Sequence, residues 1–133
     1  MPDAVTDTHG LIWHLEDDPR LGSNARATFE ACDRGEIIIY VPTICLVELV
    51  YLQEKGRIPA NFKGRFDALM QAGTSGLISV DVTVDIVDAV SHVPRTDVPD
   101  MPDRIIAATA MHLGLPLISR DSKIQVSNVH TIW

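Results

Sequence analysis

The sequence predicts a three-layer α/β fold with a central, mostly parallel sheet flanked by helices, and two observations support this. Short apolar segments alternate along the chain with longer segments that have helical spacing. The short segments are almost wholly apolar rather than alternating, which is typical of strands covered by helices on both faces. A length of 133 residues suits one ordinary domain, so we expect residues 1–133 to fold as a single domain.

The predicted strands are the short apolar runs. In the clearest of them, "EIIIYVP", β-branched residues precede Pro42, which ends the run. By the same criteria the strands cover residues 4–6, 37–41, 77–80, 115–119 and 129–133.

The predicted helices follow from apolar spacing and from residues that favour helix ends. Ser23, Thr43 and Asn61 are candidate N-caps. The segment at 83–93 is rich in β-branched residues, but Val84, Val87 and Val90 have helical spacing, so we predict a helix there. The predicted helices cover residues 10–16, 23–33, 44–56, 61–73, 83–93 and 100–114, and glycines end the third, fourth and sixth of them.

The charge and the cysteines narrow the functional classes. A net charge of −7 argues against a protein that coats nucleic acid through its own positive field. Nucleic acid remains compatible as a substrate, because clustered acids bind a divalent cation that supplies the missing charge. Cys32 and Cys45 lack metal-ligand spacing and are expected as reduced thiols in or near the core. With no signal-like start and no apolar run near the roughly 20 residues of a membrane span, we expect a cytoplasmic protein without membrane contact.

Four acids follow the ends of predicted strands. Asp7 ends the first strand, Asp121 follows the fourth, and Glu48 lies in the helix after the second. Asp103 lies in the first turn of the helix that leads into the fourth strand. Because ligands of parallel sheets bind at the carboxyl ends of the strands, we expect these carboxylates to meet at one edge.

Taken singly, three of these acids have a structural alternative. Asp7 is at a strand–helix junction, where Asp caps helices well, and Asp121 suits an ordinary turn. Asp103 is where any helix favours an acid, and Asp100 is a candidate cap for the same helix.

Glu48 is harder to explain structurally, and partial exposure at the edge of its helix is the structural alternative that remains. Its helical face includes Ile44, Tyr51 and Leu52, which we expect to face the core. A carboxylate buried there costs several kcal/mol unless it is paired or bound to a metal ion. As a set, the four acids predict a site for Mg²⁺ or Mn²⁺ that hydrolyses a phosphodiester or phosphate ester.

The motifs resemble those of a known family. "VTDTHGLIWHL", "VPTICLVEL", "DMPDRIIAATAMHLGLPLISRD" and "TIW" look like a PIN-domain protein, most closely a VapC-type toxin of bacterial toxin–antitoxin pairs. The likeness covers nearly the whole chain in the right order. It implies a parallel-sheet α/β fold and RNA cleavage with Mg²⁺ or Mn²⁺, with Asp7, Glu48, Asp103 and Asp121 as the metal-binding acids. Thr8 and Asp100 are expected to support this site rather than to bind the ion directly.

The resemblance also implies partners. VapC-type toxins are usually homodimers held inactive by a small VapB-like antitoxin, and operator DNA is expected only through that antitoxin. The alternatives are a non-toxin PIN nuclease in RNA processing and a catalytically silent PIN module that binds an antitoxin-like partner. A phosphatase of the haloacid-dehalogenase type ranks lower, because it needs an Asp at the position of His9.

Four further side chains have open roles. Arg120 and Lys123 flank Asp121 and are candidates for RNA phosphate contacts, although solvated surface positions fit equally well. Arg104 is expected to form a structural ion pair with a nearby acid, and orientation of the acidic site is the alternative. Trp13 suits either the core or an apolar groove for the antitoxin.

Overall fold

The strands and helices confirm the predicted α/β fold. The computed structural model of the protein describes residues 1–121, 124 and 128–133. The strands are β1 (Ala4–Thr6), β2 (Ile39–Pro42), β3 (Leu77–Val80), β4 (Leu117–Ile118) and β5 (Thr131–Ile132). The helices of the described part are α1 (Thr8–Leu15), α2 (Ser23–Asp33), α3 (Thr43–Glu54), α4 (Phe62–Ala72), α5 (Val84–Val90) and α6 (Met101–Leu113).

The sheet has five strands in the order β3-β2-β1-β4-β5, and every neighbouring pair is parallel. The central strands β1 and β4 are buried along their whole length, as expected where helices cover both faces. The edge strand β3 differs, because Ile78 is 44% exposed. The expectation of two covered faces therefore holds at the centre and fails at this edge.

The apolar core lies between the sheet and the helices that cover it. Phe29, Phe62 and Phe66 are its largest fully buried side chains, and Trp13 of α1 is only 3% exposed. Trp13 is therefore a core residue, not the floor of an open groove. Cys32 and Cys45 are both buried and free, which confirms the prediction of reduced thiols in the core.

Two predicted caps are wrong by one residue. Gly22 and Pro42 occupy the N-cap positions of α2 and α3, so Ser23 and Thr43 are the first helical residues. Neither N-cap makes a side-chain capping bond; Pro42 has φ −58°, which its ring fixes.

Asn61 occupies the N-cap position of α4, but its side chain makes no capping hydrogen bond. The Gln53 side chain of α3 accepts from the Lys63 N–H at 2.9 Å instead. A residue from a neighbouring helix thus performs the capping that the sequence assigned to Asn61.

The second, fourth and fifth strands are shorter than predicted, and the fifth covers only Thr131–Ile132 of the predicted residues 129–133. The Ile38 N–H donates to the Asp3 carboxylate at 2.9 Å, which takes it out of the sheet ladder. At the fourth strand, the Leu115 N–H donates to the Ala110 carbonyl and so belongs to the end of α6.

The segment at 83–93 contains a helix, α5, as predicted, but its buried face was predicted only partly correctly. Ile86 is 2% exposed, whereas Val84 is 77% and Val87 is 55% exposed. The face that α5 packs against α6 centres on Ile86. Val84 and Val87 are therefore on the solvent side, whereas Val90 is partly buried and packs against the core as predicted.

No helix of the described residues is long and apolar enough to cross a membrane.

Candidate active site

Asp7 lies at the junction of β1 and α1. Its carboxylate caps α1 by accepting from the Gly10 N–H at 2.7 Å. A Cβ at position 10 would lie 3.0 Å from the Asp7 Oδ1 atom and 2.9 Å from the Thr6 Oγ1 atom. Gly10 therefore permits the close approach that holds this carboxylate. Asp7 both caps α1, as its structural alternative predicted, and lies at the predicted site.

Ser119 connects two of the predicted acids and was missed in the sequence. Its buried hydroxyl hydrogen-bonds the Asp7 carboxylate, and its oxygen accepts from the Asp121 N–H at 3.1 Å. Burial raises the pKa of Asp7 above its usual value, against the opposing effect of the hydrogen bonds from Gly10 and Ser119. The signal in the sequence was the single hydroxyl residue of "LISRD", at the end of an apolar strand.

Glu48 is partly exposed and does not lie on the core face of α3. The buried residues of this helix are Cys45 and Leu49, and Tyr51 is 60% exposed. The expectation that Glu48 lies on a buried face is therefore wrong, because the buried face of α3 is formed by Cys45 and Leu49. The alternative of partial exposure at the helix edge is the one that the structure confirms. The Thr8 hydroxyl of α1 donates a hydrogen bond to the Glu48 carboxylate, which fixes its direction.

Asp103 lies in the first turn of α6. The Asp100 side chain caps this helix by accepting from the Asp103 N–H at 3.2 Å, as predicted. The pKa of Asp103 is raised to about 7, chiefly by burial and then by the negative charges of Asp100, Asp121, Glu48 and Asp7, in that order. The acids are thus close enough to act on one another.

One cleft of about 580 Å³ brings these groups together. It lies at the carboxyl ends of β1 and β4, as expected for a parallel sheet. Its lining residues are Asp7, His9, Glu48, Asp100, Asp103, Arg120, Asp121 and Trp133. Lys123, the other candidate for phosphate contact, lies outside the described residues.

The donor set suits a hard divalent cation. Carboxylate oxygens are the protein ligands that Mg²⁺ and Mn²⁺ prefer, and a cation relieves the repulsion that raises the pKa of Asp103. Within residues 1–121, 124 and 128–133, no group of three or more His, Cys, Asp or Glu side chains stands ready to hold a metal ion. The chemistry of the cleft therefore fits the ion, and its side chains are not closed into a ligand cage.

Arg104, next to Asp103, makes hydrogen bonds to backbone carbonyls and not the expected ion pair. Its guanidinium donates to the Val90 carbonyl at 2.9 Å and to the Val93 carbonyl at 2.9 and 3.2 Å. Val90 is the last residue of α5 and its carbonyl also accepts from the Val93 N–H at 3.0 Å, whereas Val93 lies three residues beyond the helix. Both carbonyls lie outside the regular hydrogen bonding of α5 and are open to a guanidinium. Arg104 thus joins α5 to α6.

The sequence profile of the PIN domain matches residues 4–127. The chain belongs to the PIN domain family. PIN domains are generally nucleases, and PIN nucleases generally use divalent metal ions. No curated protein sequence matches this PIN domain.

Solved structures with the same fold include toxin–antitoxin complexes. VapBC2 from Rickettsia felis, bound to a DNA fragment from its promoter, has a TM-score of 0.69 and 16% identity over 98% of this chain and 99% of that chain. DNA-bound VapBC from Salmonella typhimurium has a TM-score of 0.68 and 19% identity over 98% of this chain and 97% of that chain. A toxin–antitoxin complex from Klebsiella pneumoniae has a TM-score of 0.66 and 22% identity over 98% of this chain and 96% of that chain. At these identities the likeness establishes the PIN fold.

Proposed function

We propose that this PIN domain is a metal-dependent endoribonuclease and the toxin of a VapBC-type pair. The observation that carries the proposal is the convergence of Asp7, Glu48, Asp103 and Asp121 on one cleft, where burial and then the neighbouring carboxylates raise the pKa of Asp103. Clustered acids with perturbed pKa values in a cleft are typical of functional sites. Membership of a family of nucleases supports a hydrolytic role for them.

The same four carboxylates would hold Mg²⁺ or Mn²⁺, directly or through water. When bound, the ion lowers the pKa of a water molecule and stabilises the charge that develops on the oxygens of the phosphodiester. The chain's own residues hold the ligands in place. Ser119 and the Gly10 N–H orient Asp7, and Thr8 orients Glu48.

Asp100 has a supporting role in this proposal. By capping α6 it fixes the first turn, and therefore the position of Asp103. Its negative charge also contributes to the raised pKa of Asp103, so it favours cation binding without being a ligand.

RNA as substrate and an antitoxin as partner follow from the motif resemblance and from the complexes that share the fold. Several of those structures contain an antitoxin, and two that we compared contain DNA. A net charge of −7 leaves this chain poorly suited to bind DNA by itself, so operator DNA would be bound through a VapB-like antitoxin. We place the protein in the cytoplasm, where such pairs and RNA meet.

An exposed apolar groove supports the partner part of the proposal, which includes a homodimer. Val47, Tyr51 and Met101 are 50%, 60% and 65% exposed and line it. Apolar side chains that are gathered in one place mark interaction surfaces. Tyr51→Lys is expected to weaken self-association or antitoxin binding in light-scattering and pull-down measurements, whereas Val84→Lys on exposed α5 is expected to leave both unchanged.

A catalytically silent binding module is the second candidate. It is favoured by the lack, in the described part of the chain, of three ligand side chains in position for a metal ion. The two functions differ in whether the purified protein turns RNA over.

The test is cleavage of total RNA by purified protein with Mg²⁺, with Mn²⁺ and with EDTA, beside Asp7→Asn. Discrete cuts that need the metal and are lost in the variant would support the nuclease. The exposed Asp85→Asn serves as a matched control that removes one charge outside the cleft and is expected to cut normally. An intact, folded protein that cuts no RNA with either metal would move the function to the binding module.

A further inference from the structure

Arg120 is the one arginine that lines the acidic cleft among the described residues. Its side chain is exposed, and it follows directly after the strand end that carries Ser119. No ion pair within the described part of the chain engages it. The guanidinium therefore has its donors available beside carboxylates that would otherwise repel a nucleic-acid strand.

Trp13 holds this guanidinium in place. The Arg120 Cζ atom lies 4.6 Å from the centroid of the Trp13 ring, within the range of a cation–π contact. Trp13 as a whole is only 3% exposed, so its ring is a fixed platform. Stacking on a buried ring reduces the rotamer freedom that a long side chain loses when it binds a ligand.

Trp133 continues the same cluster into the cleft. Its ring meets Trp13 edge-on at 5.7 Å, and it lines the cleft with Arg120. A Cβ on Gly22 would lie 2.5 Å from the Trp133 carbonyl carbon, so only glycine permits this packing. The aromatic cluster is thus a tightly packed wall of the cleft that carries one cation.

Arg20 provides a comparison within the same cluster. Its Cζ atom lies 4.7 Å from the Trp13 centroid, nearly as close as that of Arg120. Arg20, however, donates to the Asp18 carboxylate at 2.8 and 3.1 Å, and it does not line the cleft. Both arginines stack on the Trp13 ring, but of the two only Arg20 has a guanidinium that is already hydrogen-bonded to a carboxylate of the described residues.

We propose that Arg120, positioned by Trp13, binds an RNA phosphate next to the one that is cleaved. The inference rests on the proposed nuclease function and adds to it the residue that lets an acidic cleft accept a polyanion. A planar guanidinium binds phosphate oxygens with two parallel hydrogen bonds, which suits a positioned contact. Trp13 is a positioning residue here, because it acts on the RNA only through Arg120.

The experiment measures binding and cleavage separately. Binding of a fluorescein-labelled pool of random single-stranded 12-nucleotide RNAs is followed by anisotropy with Ca²⁺, at salt concentrations from about 50 to 200 mM. Cleavage of the same pool is followed with Mn²⁺. The variants are Arg120→Ala, Arg120→Lys, Trp13→Phe and the matched control Arg20→Ala.

The proposal predicts that Arg120→Ala lowers affinity about tenfold and reduces the slope of log affinity against log salt by about 0.7, as for one lost phosphate contact. KM is expected to rise with little change in kcat. Arg120→Lys restores the salt slope, and Trp13→Phe, which keeps a weaker ring platform, gives a smaller rise in KM. Arg20→Ala is expected to bind like the wild type.

Equal losses in Arg120→Ala and Arg20→Ala would overturn the proposal, because net charge alone would then explain them. An unchanged KM and salt slope in Arg120→Ala would overturn it as well. Wild-type protein that binds the pool but never cleaves it contradicts the nuclease function, while the Arg120 variants still decide the phosphate contact. Wild-type protein that neither binds nor cleaves contradicts both.

Discussion

The hydroxyl of Thr8, the first residue of α1, donates a hydrogen bond to the carboxylate of Glu48 in α3. Thr8 is 3% exposed, so this bond ties a buried position next to Asp7 to a partly exposed acid 40 residues away. Two of the four candidate metal ligands are therefore positioned by the start of α1: Asp7 caps this helix, and Glu48 is held by Thr8, the next residue.

We expect Thr8→Val to lower both activity and stability. The substitution keeps the shape of the side chain and removes the donor, so Glu48 loses its fixed direction at a cost of about 1 kcal/mol in the free energy of unfolding. Urea denaturation and RNA cleavage with Mn²⁺ measure the two effects. Thr8→Ser retains the hydroxyl and should keep most of the activity; equal activity in the Val and Ser variants would show that the bond does not matter.

Gly10→Ala is expected to reduce cleavage by displacing Asp7. The new Cβ would lie 3.0 Å from the Asp7 Oδ1 atom and 3.2 Å from the Ile118 Cγ2 atom, which is tighter than ordinary contacts. Overpacking of this kind costs about 1 to 3 kcal/mol, more than the gain of about 1 kcal/mol from replacing glycine inside a helix.

Gly64→Ala provides the matched control for that substitution. Gly64 lies inside α4 and has nothing within 4 Å of an added Cβ, so we expect a gain of about 1 kcal/mol and unchanged cleavage. Thermal unfolding of both variants checks the pair. A stabilised and fully active Gly10→Ala would mean that the turn at Asp7 has room to spare.

In EDTA, the contribution of Asp103 to the free energy of unfolding should fall as the pH rises from about 4 to about 7. The folded protein holds the pKa of Asp103 at about 7, above its value of 3.8 in the unfolded chain, so the folded state binds more protons in this window. Its contribution to stability is present below the unfolded pKa and is lost as the pH rises through the folded one.

Asp103→Asn removes this titration, so the stability difference between the variant and the wild type should grow in favour of the variant from pH 4 to pH 8. Urea denaturation at a series of pH values measures it. Asp18, whose pKa Arg20 lowers to about 2, titrates below this window and does not interfere. Parallel pH curves for the two proteins would contradict the assigned cause.

Arg104→Met is expected to cost about 2 kcal/mol in the free energy of unfolding. It removes the hydrogen bonds that a charged group makes to the Val90 and Val93 carbonyls and leaves those carbonyls without that partner. Arg104→Lys should recover part of the loss, since an ammonium still donates to carbonyls but lacks the forked geometry. Chemical denaturation measures both; no loss in Arg104→Met would show that water replaces the guanidinium.

Local patterns in the sequence predict most of the fold. Runs such as "EIIIYVP" and ends such as Gly73 and Gly114 depend on neighbours in the chain, and the structure places strands and helix ends there. Two of the errors come from contacts between residues that are not neighbours in the chain. Asp3 takes the Ile38 N–H out of β2, and Gln53 does the capping assigned to Asn61.

The candidate site, too, has parts that the sequence predicts and parts that depend on contacts between separate segments. The order of acids along the chain, with the rule for parallel sheets, places Asp7, Glu48, Asp103 and Asp121 at one cleft. Which acid is buried does not follow from spacing, as the partly exposed Glu48 illustrates. Ser119, and the ring of Trp133 in the cleft wall, depend on packing between segments far apart in the sequence.

The most direct test of the account is Mn²⁺ binding by the purified protein, measured by calorimetry without RNA. We predict saturable binding that each of Asp7→Asn, Glu48→Gln, Asp103→Asn and Asp121→Asn weakens, and that the exposed Asp85→Asn leaves unchanged. Binding that is absent from the wild type, or that Asp85→Asn weakens as much as Asp103→Asn does, would contradict a metal site in this cleft.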